Sequence, residues 1–426
     1  MIKSVMHTRT YRSHHQRLSK RNRANFKQKF VLTILGLVAV YITLFSVMTP
    51  AYSLSASNEL DKTLPAQLLA IQWPTEGQAA IGAIGYGTLE THNITASVPT
   101  ASVIKVVTAL SVLQKHPLSL HDSGPALTMT AEDVARYEDY VANHGSVVPI
   151  REGQKLSEYQ MIEAMLVKSA NNLADSLAIW AFGSLKEYRS YATTYLKQLG
   201  MSHTTIGTDA SGLNPNSRST ASDLIILGQV AMRNPVIAEI VSKRSINFPE
   251  VGTVESTNTL LGTDGIVGIK TGTDYQDKGS YLFASIYRAA DDQPPITILG
   301  AVMAAPSSPA AKQAALAMLR TARGGFKERK LFTANQTIAQ YTPEWSSQPI
   351  DVTVKQDVRI VDWYAHSTKV DIDLNQITDE HAAGDFVGVI NVETSTGKRV
   401  VARAVLKNAI TKPSLWWRLT HPAAIL

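Results

Sequence analysis

A serine three residues ahead of a lysine, on an otherwise apolar stretch, is an arrangement that can make a nucleophile. Residues 99–110 read PTASVIKVVTAL. Positions i and i+3 share a helix face, so the Lys105 amine can reach the Ser102 hydroxyl. Ser102 falls in the first turn, where the helix dipole favours a developing alkoxide. A lysine among Val, Ile and Ala side chains is desolvated, which lowers its pKa. A neutral amine beside a serine is an activated nucleophile pair. Alone the spacing is weak, because a lysine commonly lays its stem along a helix and sends its head to water. Ser395-Thr396-Gly397-Lys398 repeats the spacing in a Thr/Gly-rich hairpin turn and is set aside.

Two further groupings strengthen the first. Lys168-Ser169-Ala170-Asn171 ends the amphipathic stretch MIEAMLV, and Asn171-Asn172 opens a second helical run, LADSLAIWAF. The competing reading is that Ser169 and Asn171 only cap a helix. The S-x-N pattern also occurs at Ser245-Ile246-Asn247 and Ser256-Thr257-Asn258, and Ser169 is preferred because a helix delivers it to a defined place. The third grouping is Lys270-Thr271-Gly272-Thr273, at the end of a strand, GIVGI. A glycine on an exposed strand lets another backbone approach, and an extended peptide can add to such an edge. Thr271 and Thr273 supply hydroxyls and Lys270 a positive charge, although a plain strand-to-turn junction would look the same.

The elements that must hold these residues can be read from pattern. AAIGAIGYGTLETHN over 79–93 reads as two short strands with a turn near Gly85 and Gly87. A helical stretch starts near Ser102, and a helix-rich region runs from Ala131 to about Leu199. Turns and a strand, GIVGIKTGT, follow over 252–273, then strands at 280–287 and 296–302 and a helix of good formers over 310–323. Strands at both ends with helices between them predict an α+β domain over 70–325, its antiparallel sheet built from the two chain ends with a helical lobe inserted. Residues 326–350 read as a linker, 351–410 as a small separate all-β domain, and 411–426 as a tail. The Trp416-Trp417 pair in that tail reads as packing on the β domain rather than as a membrane-interface contact, since the segment is short and shows no clear amphipathic helix.

Ahead of all this, residues 1–29 carry nine basic groups and no acid; the first acidic residue is Glu59. The formal charge of +6 is therefore a property of the tail. The remainder is mildly acidic, which argues against nucleic acid as a partner. Residues 30–48, FVLTILGLVAVYITLFSVM, contain no charge, and nineteen helical residues just span a bilayer core. Basic residues before the span and none just after it place the N-terminus inside and the rest outside. The length favours an uncleaved anchor over a cleaved signal segment, whose apolar region is shorter; Ala51, Ser53, Ser55 and Ala56 offer small residues for the second reading. Residues 49–69 read as a tether. The chain has no cysteine, which excludes disulfides, thiolate catalysis and cysteine-bound metal. Apolar residues make up 44 % and charged residues 18 %, enough for a packed core without staples.

The three groupings occur in the order S-x-x-K, S-x-N, K-T-G, with 67 and 101 residues between their first members. That ordered set, with S-D-N as the usual middle member, marks penicillin-binding proteins and class A β-lactamases. The sequence resembles the D-alanyl-D-alanine carboxypeptidases of peptidase family S11, low-molecular-mass penicillin-binding proteins. The resemblance covers about residues 70–323. It includes PTASVIKVVTAL, TDASGLNPNSRSTASDL and NTLLGTDGIVGIKTGT, and reaches weakly to AAGDFVGVINV in the β region. DYQDKGSYLF departs from the more apolar Ala-Gly stretch usual after the third motif.

The resemblance implies a β-lactamase/transpeptidase-like fold and a peptidoglycan stem peptide as substrate. It implies β-lactams as covalent inhibitors, and no metal or cofactor. Ser102 would attack the penultimate D-alanine carbonyl, with Lys105 as base. Backbone N–H groups of Ser102 and Thr273 would form the oxyanion hole. Ser169 would relay a proton to the leaving D-alanine, and Asn171 would bond the substrate amide. Lys270, Thr271, Gly272 and Thr273 would form the subsite for the terminal carboxylate. Transpeptidation is secondary on this reading. The rivals are a β-lactamase and a catalytically silent wall-binding scaffold. A class A β-lactamase needs a glutamate to activate the deacylating water, and Glu187, Glu239, Glu250 and Glu255 sit in no recognisable setting for it. The intact motifs argue against silence.

Overall fold

The computed structural model describes residues 6–47, 52–58, 62–291, 293–394 and 397–421. The expectations that fall on 1–5, 48–51, 59–61, 395–396 and 422–426 lie outside the described residues. These are the tip of the basic tail, the end of the apolar span, parts of the tether, the set-aside Ser395-Thr396 and the end of the tail.

The predicted sheet forms from the two ends of its domain. Its five antiparallel strands lie in the order Ile266–Thr273, Gly279–Tyr287, Ile296–Ala305, Gln78–Ala83, Gly87–His92. Both faces of the inner strands are covered, so Gly279–Tyr287, Ile296–Ala305 and Gln78–Ala83 are buried nearly throughout rather than on alternate residues. Within Gly279–Tyr287, Tyr281 and Phe283 enter one core while Leu282 and Ala284 enter the other, as the period of two requires. On the Tyr281 side packs the helix Ser308–Arg323, through Ala311, Ala315, Met318 and Leu319. On the Leu282 side lie the helix Ala221–Arg233 and the inserted helical lobe. The lobe's helices start where the sequence offers caps. Thr130 and Asp133 form one capping box, Ser157 and Gln160 another.

Two segments depart from expectation. Residues 326–350 are not a linker: Phe326–Phe332 pairs with Val358–Trp363, and Thr337–Tyr341 enters the C-terminal sheet. The charged run Lys327–Lys330 gives this segment a polar look, yet Phe326, Leu331 and Phe332 are buried. Residues 49–69 are not a free tether either. Ala56–Asn58 and Lys62–Leu64 form the two opposite edges of a seven-stranded sheet. Laid flat, seven strands at roughly 4.8 Å spacing would put the edges about 29 Å apart. Only residues 59–61 separate these edge strands in sequence, and so short a piece reaches about 14 Å at most. The sheet must therefore curl until its edges nearly meet, around a core that includes Ile338, Tyr341, Val352, Ile372 and Ile390.

Nor is this β domain separate from the rest. The Tyr86 hydroxyl donates to the Val361 carbonyl at 2.8 Å. Phe326 stacks edge-on against both Tyr86 and Trp363. Phe326, Val361 and Trp363 are buried in the same cluster as Ile298 and Val302 of the five-stranded sheet. At the other end of the chain, Met6–Val47 is one helix. Its Asn25–Leu44 stretch is long and apolar enough to cross a membrane, as an anchor or a signal segment would be.

Candidate active site

Ser102 sits on a single 3-10 turn, Ala101–Ile104, that leads into the helix Lys105–Lys115. Every residue from Val103 to Leu113 is buried. The helix thus drives its lysine into the core between sheet and lobe, and Lys105 has no exposed surface. The head cannot reach water, so the lysine-stem alternative fails. Its amine donates to Ser102 Oγ at 2.8 Å, Asn171 Oδ1 at 2.6 Å and the Ser211 carbonyl at 2.7 Å. Three acceptors saturate an ammonium. A neutral amine has two protons for Asn171 and Ser211, which leaves its lone pair for the Ser102 hydroxyl. Burial pulls the Lys105 pKa down to about 7, against the raising influence of Asp209 and Asp175.

Asn171 reaches this point because the chain turns sharply between two helices, Glu158–Val167 and Asn171–Phe182. Ser169 carries a left-handed backbone, φ 70°, in that turn. The second helix has no side-chain cap at its N-terminus, which removes the capping alternative for both residues. The turn is held by the Asn171 N–H on the Ser146 carbonyl and the Ser146 hydroxyl on the Lys168 carbonyl. Ser102, Ser169, Asn171, Thr271, Gly272 and Thr273 all line one cleft of about 440 Å³.

Lys270, Thr271, Gly272 and Thr273 end the strand at one edge of the five-stranded sheet. A methyl group on Gly272 would stand 3.0 Å from Ala101 Cβ and 3.1 Å from the Ser102 nitrogen, so a bare glycine lets the strand lie against the Ser102 turn. Lys270 is buried, its amine donating to the Thr271 carbonyl at 3.1 Å. Burial, and then the Lys105 charge beside it, push Lys270 well below the usual lysine range. The two amines therefore compete for charge, a coupling that the sequence did not disclose.

Other contributors escaped the sequence reading. The Ser211 carbonyl that holds Lys105 lies in a loop organised by Asp209. Its carboxylate accepts from the backbone N–H groups of Ser211, Gly212 and Asn214 at 2.6–2.8 Å. Asp175 accepts from the Ala210 N–H and the Tyr140 hydroxyl, and burial raises its pKa to about 6. The passed-over Ser256-Thr257-Asn258 meets the cleft, where the Thr257 hydroxyl accepts from Thr271 Oγ1 at 2.8 Å. Lys312, from the helix Ser308–Arg323, donates to the Thr257 carbonyl and lines the same wall. By contrast Lys398, of the second S-x-x-K, is paired with Asp371 and Asp373.

Gly212 offers a direct check on how the Ser102 turn and the Asp209 loop fit. Its φ is 80°, and a Cβ there would stand 2.2 Å from the Ala101 carbonyl oxygen. Gly212→Ala is expected to cost about 2–4 kcal/mol, from backbone strain plus overpacking. Thermal unfolding reads this as a lowered Tm, and an unchanged Tm would show that the two segments do not meet so closely.

An α+β domain whose sheet edge, lobe turn and buried Ser–Lys pair share one cleft is the penicillin-binding fold, and the comparisons with known proteins agree. PBP3 of Streptococcus pneumoniae, a peptidoglycan synthesis regulatory factor, superposes with a TM-score of 0.60 at 18 % identity, over 80 % of this chain and all of that one. Penicillin binding protein 5 of Haemophilus influenzae gives 0.55 at 17 % identity, over 81 % of this chain and 98 % of its own. At such identities these likenesses establish the fold. A family model described as D-alanyl-D-alanine carboxypeptidase matches residues 84–305. The chain belongs to that family, peptidase S11. It is 30 % identical over 183 residues to D-alanyl-D-alanine carboxypeptidase DacB2 of Mycobacterium tuberculosis, a match covering 41 % of this chain and 57 % of that protein. To DacD of Salmonella typhimurium it is 26 % identical over 233 residues, 53 % of this chain and 57 % of the relative. The chain thus spans little more than half the length of these curated relatives.

Proposed function

We propose that this protein is a serine D-alanyl-D-alanine carboxypeptidase that removes the terminal D-alanine from peptidoglycan stem peptides. The observation that carries the reading is the fully buried Lys105 amine held 2.8 Å from Ser102 Oγ in a cleft lined by all three motifs. Neutral Lys105 takes the Ser102 proton as the oxygen attacks the penultimate D-alanine carbonyl. The backbone N–H groups of Ser102 and Thr273 receive the oxyanion. Ser169 passes a proton to the departing amine, Asn171 bonds the substrate amide, and water then releases the acyl group from Ser102. Thr271, Gly272 and Thr273 seat the terminal carboxylate. Its negative charge restores a proton to Lys270, whose burial otherwise disfavours the charged form. β-Lactams acylate the same serine. The Asn25–Leu44 stretch anchors the protein with its N-terminus inside and its cleft outside the cell membrane.

The test is intact-mass analysis of the full chain in detergent with a penicillin, followed by peptide mapping and by D-alanine release from a peptide ending in D-Ala-D-Ala. A long-lived adduct on Ser102 together with D-alanine release is expected. Rapid drug hydrolysis without an adduct would make the protein a β-lactamase. Neither adduct nor hydrolysis would make it a silent scaffold.

Acylation should also depend on pH in a defined sense. Only the neutral amine accepts a proton, and the Lys105 pKa is lowered to about 7. The acylation rate is expected to rise with pH through a limb near 7. Stopped-flow acylation by a chromogenic β-lactam reads it; a limb near the ordinary lysine value would rule out a buried amine base.

A further inference from the structure

The polar hairpin after the third motif has no part in the chemistry described so far. Asp274-Tyr275-Gln276-Asp277-Lys278 joins the strand Ile266–Thr273 to the strand Gly279–Tyr287. The turn is held from within. Asp274 Oδ1 accepts from the Gln276 and Lys278 N–H groups at 2.8 and 2.9 Å, as aspartates at turns do. The Asp274 N–H donates to the Lys278 carbonyl at 3.0 Å, and the Asp277 N–H to the Asp274 carbonyl at 3.1 Å. Tyr275 is nonetheless 59 % exposed. Asp277 is exposed too, with a left-handed backbone, φ 61°. The hairpin thus offers a ring and two carboxylates against one amine, Lys278.

The open edge of the sheet decides what this hairpin meets. Ile266–Thr273 is an edge strand with a single neighbour. Successive residues of an antiparallel strand turn their backbone groups to alternate sides. The Asp274 N–H bonds toward the neighbouring strand, so the Thr273 N–H and carbonyl face the open edge. A substrate laid there has its penultimate carbonyl on the Thr273 N–H and its terminal carboxylate back toward Thr271. It therefore runs antiparallel to the strand. Its last D-alanine stands opposite Gly272, its penultimate D-alanine opposite Thr273, and the residue before them opposite Asp274. Directly opposed residues of an antiparallel pair are close enough for their side chains to interact. Among the described residues, the cleft is lined by Lys312 and by no carboxylate. Charge along the substrate's path therefore changes sign at the hairpin. An aliphatic chain ending in an ammonium suits both a carboxylate across the strand and an exposed aromatic ring next to it.

We propose that the hairpin Asp274–Lys278 is the subsite for the residue preceding the two D-alanines, and that it selects a side chain with a free primary amine. Asp274 supplies the opposed charge, Asp277 a second carboxylate further round the turn, and Tyr275 the ring. This deepens the carboxypeptidase reading and rests on it.

The test measures D-alanine release by the full chain in detergent from three Nα-acetylated peptides, X-D-Ala-D-Ala. X is lysine, Nε-acetyl-lysine or α-aminoadipate, which place an amine, a neutral amide or a carboxylate at the end of similar chains. At low salt, kcat/KM is expected to be about three- to fivefold higher for the amine than for the amide, the scale of one opposed charge pair, and lowest for the carboxylate. The double variant Asp274→Asn/Asp277→Asn should bring the amine and the amide together. Asparagine keeps the oxygen that holds the turn at 274 and tolerates the left-handed backbone at 277, so the ratio moves and the hairpin stays. Equal rates for amine and amide in the wild type, or a preference that survives in the double variant, would overturn the subsite while leaving the carboxypeptidase. Release from none of the three peptides would overturn the enzymatic reading, and this proposal with it.

Discussion

Ser102→Ala is expected to lower D-alanine release by about 10⁴-fold or more, the scale on which removal of a nucleophile acts in serine hydrolases. It should also abolish the penicillin adduct. Ser102 is only partly buried and sits on a 3-10 turn ahead of the buried helix. Removing one hydroxyl there leaves the packing of Val103, Ile104, Val106 and Val107 intact. The Tm of the variant is therefore expected to stay near that of the wild type. Purified Ser102→Ala protein that still released D-alanine at the wild-type rate would sink the assignment of the nucleophile, and with it the proposed chemistry.

Lys105→Arg should be nearly as damaging, for a different reason. A guanidinium stays protonated at any working pH and cannot serve as base; loss of a general base costs about 10²–10⁴-fold. The fold suffers as well. Lys105 has no exposed surface, and its three acceptors are arranged for a compact amine. A permanent charge there is expected to cost about 3–5 kcal/mol, the scale of a buried charge with disrupted partners. Lys105→Met keeps the stem and drops the charge, which separates folding from catalysis: it should fold and remain unacylated. The same pair of proteins tests linkage. The Lys105 pKa falls from an ordinary 10.5 to about 7 on folding. Between those values the unfolded chain binds more protons, so the Lys105 contribution to stability grows as pH rises across that window and is lost as pH falls toward 7. Urea unfolding at several pH values should show a larger gain in the wild type than in Lys105→Met, where buried Lys270 still contributes one. An active Lys105→Arg protein would exclude Lys105 as the base.

What could be read from the sequence was local or carried by side-chain identity. Ser102 and Lys105 are one helical turn apart, so their meeting needs only a helix. Strand-like runs at 79–93 and at 280–302, with helical pattern between them, foretold a sheet built from the two ends of the domain. The missing parts are mostly non-local. The Ser211 carbonyl is a main-chain group and has no signature of its own, although the Asp209–Gly212 spacing marks a turn with backbone donors gathered on a carboxylate. Thr257 belongs to a pattern that recurs by chance, and only the fold sets it against Thr271. The strands at 56–58 and 62–64 have three residues each and find partners far along the chain. Phe326–Phe332 hides its buried ends behind a run of four charged residues, of which Lys327, Glu328 and Lys330 are exposed. Lys270 stands out in its motif, but its charge is governed by burial and by Lys105, 165 positions away in sequence.

The curled C-terminal sheet has a consequence in time. Its two edge strands come first in the chain and pair far along it: Ala56 must find Tyr341, and Lys62 must find Val370. Contacts so distant in sequence form late, because closing a long loop costs entropy before any pairing repays it. The strands of the five-stranded sheet, by contrast, are complete by residue 305. Synthesis from the N-terminal end therefore sets an order of assembly, in which the cleft can form while the C-terminal sheet still stands open. The segment that follows the apolar helix is early in the chain and the last to be enclosed.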